Sequence, residues 1–184
     1  MSLRGFVTFP TQIKTTGELN MKNKNVLFLT QAAMIAAIYV VLTFVANAFG
    51  LANYAVQVRF SEALTILPYF TPAAIPGLFV GCLLSNTLTG CALMDIIFGS
   101  IATLIGAYFT YKLRQFKWLA PVPPIVANVI VVPFVLKYAY GIEPLWFSFL
   151  TVTAGELISC GLLGMILLFS LQKYTGKIFN KQPY

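Results

Sequence analysis

The chain contains no histidine, and only 9% of its 184 residues are charged. Without imidazole, most acid–base triads lose their central member and the commonest metal ligand is gone as well. Its three cysteines, Cys82, Cys91 and Cys160, are too widely spaced for a CxxC pair, so a redox dithiol or a metal site has little support. No Walker sequence is present to cradle nucleotide phosphates, and residues 1–20 hold no apolar core of signal-peptide length. No internal repeat stands out, which weighs against a transporter built from two inverted halves. Acids are scarcer still than bases, five against twelve, giving a formal charge of +7. The basic residues gather at the ends of apolar segments and form no dense patch, so the surplus reads as membrane topology, with no nucleic acid as partner.

What fills the chain is apolar: 59% of residues are hydrophobic and the mean hydropathy is +0.84. A soluble domain of this length carries about 25% charged residues. The composition therefore predicts an all-α membrane protein with one compact domain in the lipid bilayer. Six spans are expected, at 26–49, 51–70, 72–89, 93–113, 118–140 and 146–171. The second is ambiguous, because LANYAVQV is dotted with polar residues and Pro68 breaks the end of the short helix expected after it. Charge parity resolves it. Lys22 and Lys24, then Lys112, Arg114 and Lys117, then Lys173, Lys177 and Lys181 form three basic groups that the positive-inside rule assigns to the cytoplasm. They share one side only if 51–70 crosses. Ten of the twelve basic residues then lie inside, with Arg59 and Lys137 outside. The second helix is expected to be short, to begin at about Phe60 and to come after an outer loop, with both termini cytoplasmic. Residues 1–25 read as a cytoplasmic leader without order, Met21 being an alternative start, and 172–184 as a basic cytoplasmic tail.

Polar groups inside apolar runs are costly and so carry the functional signal. Setting Glu18 aside, the carboxylates are Glu62, Asp95, Glu143 and Glu156, all toward the expected outer half. Glu62, Asp95 and Glu156 can converge on one outward-facing cavity if six helices close into a bundle. Arg59, one turn before Glu62, can pair with it, as a structural ion pair or as part of a ligand site. Asp95 can cap its helix or meet ligand, and Glu143 reads as a loop charge. Asn86 and Asn128 are amides in apolar surroundings, suited to ligand contact or to a helix-to-helix hydrogen bond. Small residues one turn apart mark close helix contacts: Ala32 with Ala36, Ala33 with Ala37, and Gly77, Gly81 and Ser85.

One stretch has a recognisable wording. VRFSEALTILP followed by TPAAIPGLFVGCLLSN, within 58–86, resembles the QueT family of queuosine-precursor importers, and the resemblance extends to about Ser100. That family belongs to the S-components, the substrate-capture subunits of energy-coupling-factor transporters. The resemblance implies a six-helix S-component bundle at 26–171, a 7-deazaguanine ligand bearing an aminomethyl or nitrile group, and no cofactor. It also implies a transmembrane coupling subunit and two ATPase subunits as partners, with the alanine pairs Ala32/Ala36 and Ala33/Ala37 of the first helix as the docking ridge. For such a ligand the residues suggest Glu156 on the guanine-like edge, Asp95 or Glu62 on the ammonium, and Arg59 orienting Glu62. Asn86 and Asn128 would read the carbonyl and ring nitrogen, and Tyr54, Phe60 or Trp146 would stack on the ring. Another vitamin or nucleobase importer, a solitary proton-coupled transporter, a membrane-embedded enzyme and a purely structural subunit remain as alternatives.

Overall fold

The computed structural model describes residues 13–50 and 59–174, with side chains from Lys24 onward. Among the described residues the chain forms six helices and no strand. The first, Ile13–Ala48, begins well inside the stretch expected to be a leader. The second is a 3-10 helix, Phe60–Tyr69, of ten residues. The third is Ala74–Leu88. The fourth opens with a π turn, Asp95–Gly99, and continues as Ser100–Lys112. A 3-10 turn, Lys117–Leu119, leads into the fifth, Val122–Tyr140. The sixth runs Leu145–Glu156, passes through a π segment, Leu157–Leu163, and ends with Gly164–Gln172. Among the described residues, three helical stretches are long and apolar enough to cross a membrane, Lys24–Ala48, Lys117–Tyr140 and Leu145–Gln172, while Ala74–Leu88 is apolar but shorter.

Helix ends are set by local chemistry. The prolines of VPP sit in the first turn of the fifth helix, where a missing N–H costs nothing. That helix stops at Gly141, whose φ of +67° suits a residue without a β-carbon. The N–H of Ile142 reaches back to the Leu136 carbonyl and that of Gly141 to Lys137, closing the orphan carbonyls.

Contacts between helices fix their relative directions. Ala32 meets Gly77 and Ala36 meets Gly81, so the first and third run parallel. Tyr39 meets Glu62 while Gln31 meets Thr71, so the chain through the second helix runs back against the first. Tyr140 meets Asp95 and Pro124 meets Gly106, which makes the fourth and fifth antiparallel. Successive helices thus alternate in direction between two ends. Lys24, Lys112, Lys117 and Lys173 fall at one end; Arg59, Asp95 and Tyr140 fall at the other.

Close approach is what the small residues provide. A β-carbon at Gly77 would stand 2.7 Å from the Ala32 carbonyl oxygen, and one at Gly81 would stand 2.8 Å from the Tyr39 β-carbon. The backbones therefore touch directly, as in small-residue interfaces of membrane helices. The second helix lies at the centre, packed on the first, third, fourth and sixth. It buries Glu62, Leu64, Thr65, Ile66, Leu67 and Pro68. Outward positions on the long helices remain apolar and exposed, among them Leu29, Val41, Ile130 and Leu162. In water such a surface would be a liability, and in hydrocarbon it is the expected exterior.

Candidate functional site

All three buried carboxylates sit where a helix departs from α geometry. Glu62 lies in the 3-10 helix, Asp95 opens a π turn, and Glu156 immediately precedes a π segment. Such turns re-aim side chains and free backbone groups, and π turns recur at functional sites. Together with Arg59 and Asn128, the three acids line one cavity of about 20 Å³, walled also by Cys82, Gly99 and Thr103. A volume of this size holds about one water. Five of the expected ligand-site residues, Glu62, Asn86, Asp95, Asn128 and Glu156, are buried.

Near the helix ends, the Arg59 Nη2 atom lies 3.5 Å from Asp95 Oδ2. Its Nη1 donates to Asn86 Oδ1 at 3.4 Å. Tyr140 donates its hydroxyl to Asp95 Oδ2 at 3.3 Å and accepts from the Ala92 N–H at 3.0 Å. Asn86 Nδ2 in turn donates to the Asp95 carbonyl at 3.4 Å. The guanidinium thus pairs with Asp95, where the sequence suggested Glu62. Gly99 lets this cluster close, since a β-carbon there would meet Asp95 Oδ1 at 3.1 Å.

Deeper in the bundle the second cluster is held differently. Tyr39 donates its hydroxyl to Glu62 Oε1 at 2.6 Å, so the first helix orients this carboxylate. Asn128 donates to Glu156 Oε1 at 2.9 Å, and the Cys160 thiol donates to Glu156 Oε2 at 3.0 Å. Glu62 Oε2 is buried and has no hydrogen-bond partner among the described residues. Ligand atoms of Glu62, Glu156 and Cys160 all lie within 4.8 Å of one another. Three protein ligands fall short of the four that close a structural zinc site, but the group is well placed to receive a donor or a cation.

The stacking candidates are placed elsewhere. Phe60 lines a separate apolar recess of about 790 Å³ between the first, second and sixth helices, with Met34, Leu64 and Leu167. Trp146 is 64% exposed and packs edge-on against Phe147. Tyr54 lies outside the described residues. Glu143, read as a loop charge, pairs with Lys137 at 3.1 Å on the surface. Of the alanines, Ala32 and Ala36 are buried against the third helix, while Ala33 and Ala37 are exposed. Sequence reasoning missed Tyr39, Cys160 and the acceptor role of Tyr140. Cys160 carried a usable signal, four residues after Glu156 on the same helix face.

A family model described as QueT transporter matches residues 29–173. The queuosine precursor transporter QueT of Lactococcus lactis subsp. cremoris (strain MG1363) is 31% identical over 85 residues. That alignment covers 46% of this chain and 50% of the relative, so the chain spans about half the length of the curated relative it matches. No solved structure matches.

Proposed function

Because the chain belongs to the QueT transporter family, we propose that it is the substrate-binding membrane subunit of an energy-coupling-factor importer for a 7-aminomethyl- or 7-cyano-7-deazaguanine. Transport, not catalysis, is the activity this assigns. The observation that carries it is the gathering of Glu62, Asp95, Asn128 and Glu156 from four helices into one cavity. A guanine-like edge offers adjacent N–H donors, which Glu156 accepts while the Asn128 amide fixes its orientation. At about 20 Å³ the cavity must widen to admit a bicyclic base.

The proposed topology has six spans, both termini in the cytoplasm of a bacterial cell, and the cavity in the outer half. The basic ends at Lys24, Lys112, Lys117 and Lys173 support that orientation through the positive-inside rule. The membrane domain occupies 26–171 and the basic tail 172–184. A coupling subunit with two ATPase subunits would supply the energy. Since the third helix already covers Ala32 and Ala36, docking falls to the exposed Ala33 and Ala37.

Calorimetric titration of the purified protein with both precursors tests the reading. Micromolar or tighter binding of at least one, weakened at least about tenfold by Glu156→Gln, is expected. Absence of binding to a folded protein would sink it. The proximity of Glu62 to Glu156 favours one rival, a solitary proton-coupled transporter. Uptake that survives collapse of the proton gradient but not ATP depletion excludes that rival.

A further inference from the structure

The cavity is unbalanced in charge. Three carboxylates and one guanidinium line it, a formal charge of minus two, with no lysine among the lining residues. The one guanidinium is committed to Asp95 and Asn86. The side chains that donate to the Glu62 and Glu156 carboxylates are neutral: the Tyr39 hydroxyl, the Asn128 amide and the Cys160 thiol. Glu62 and Glu156 approach within 4.8 Å, and Glu62 Oε2, a buried acceptor without a hydrogen-bond partner among the described residues, belongs to that pair.

We infer that the site selects a cationic ligand over its uncharged counterpart, with Glu62 as the specificity-determining residue that receives the ligand's amine. The inference rests on the deazapurine reading and decides between the two precursors it leaves open. A primary amine is cationic near neutral pH and carries three donors, one of which meets Glu62 Oε2 while Glu156 keeps the guanine-like edge. A nitrile accepts hydrogen bonds and donates none. Placed in the same position, it sets an acceptor against a buried acceptor and leaves Glu62 Oε2 without a donor or counter-charge, which is costly at this depth. The discrimination therefore comes from repulsion of the wrong group as much as from attraction of the right one.

Titration of the wild-type protein with 7-aminomethyl- and 7-cyano-7-deazaguanine at neutral pH tests this without any variant. The amine is expected to bind at least about tenfold tighter, the scale of one charge-assisted hydrogen bond. Glu62→Gln, monitored for folding by its melting profile, is expected to bring the two affinities within about threefold of each other, the amine losing more than the nitrile. Equal affinities, or a tighter nitrile, on the wild-type protein overturn the inference while leaving the deazapurine reading intact. An unchanged preference in a folded Glu62→Gln protein overturns the assignment to Glu62. If neither compound binds folded wild-type protein, the deazapurine reading fails and takes this inference with it.

Discussion

Toward the helix ends, Asp95 faces a guanidinium and a tyrosine hydroxyl; one turn deeper, Glu62 and Glu156 lie within 4.8 Å of each other and are hydrogen-bonded by neutral donors. The first arrangement is complete, since each charge has its opposite within the protein. The second is incomplete, since its donors are neutral and one carboxylate oxygen lacks a partner among the described residues. The difference teaches where binding energy is stored. A satisfied pair holds the bundle together and resists change, whereas an unsatisfied one is stabilised by what enters from outside.

Substitutions sharpen that contrast. Arg59→Met removes the cation from a buried pair and leaves Asp95 with only the neutral Tyr140 hydroxyl, with an expected loss of about 3–5 kcal/mol of stability; chemical denaturation in detergent measures it. A wild-type unfolding midpoint for that variant would show that Asp95 does not depend on its partner, and the comparison would collapse. Tyr39→Phe strips Glu62 Oε1 of its donor and is expected to cost about 1–3 kcal/mol in the same assay. Glu156→Gln removes one of two like charges, and its stability is expected to stay within about 1 kcal/mol of wild type even as ligand affinity falls. A loss as large as that of Arg59→Met would mean the deeper pair is structural after all. At the surface, Lys137→Ala breaks the solvent-exposed pair with Glu143 and is expected to change stability by less than about 1 kcal/mol, with ligand affinity unaltered.

Much of the frame is legible in the residues alone, because hydropathy reports burial in lipid directly. The fifth and sixth apolar stretches, read as 118–140 and 146–171, correspond to Lys117–Tyr140 and Leu145–Gln172. The polar site residues are legible for the converse reason. A carboxylate or amide within such a run has few explanations, so Glu62, Asp95, Asn128 and Glu156 stand out before any fold is known. Their partners do not. Whether Arg59 turns to Glu62 or to Asp95 depends on the π turn that opens the fourth helix, and no periodicity announces that turn. Tyr39 is hidden among nine tyrosines, each able to serve as an interfacial anchor or as a donor. The aromatic candidates Phe60 and Trp146 fail to line the polar cavity because ring content says nothing about which side of a helix faces inward. The alanine pairs divide for a related reason: two ridges of equal size lie on one helix, and the glycines of the third helix take one of them.

The central helix also solves a problem of length. At about 2.0 Å per residue, its ten residues extend about 20 Å, where α winding at about 1.5 Å would give about 15 Å. Winding the chain more tightly around its axis thus stretches it along that axis. From Phe60 to Tyr69 the segment attains a length equal to about two thirds of a hydrocarbon layer roughly 30 Å thick, with too few residues for a conventional span. The bundle gains a thin central post whose first turn carries Glu62 to the wall of the polar cavity.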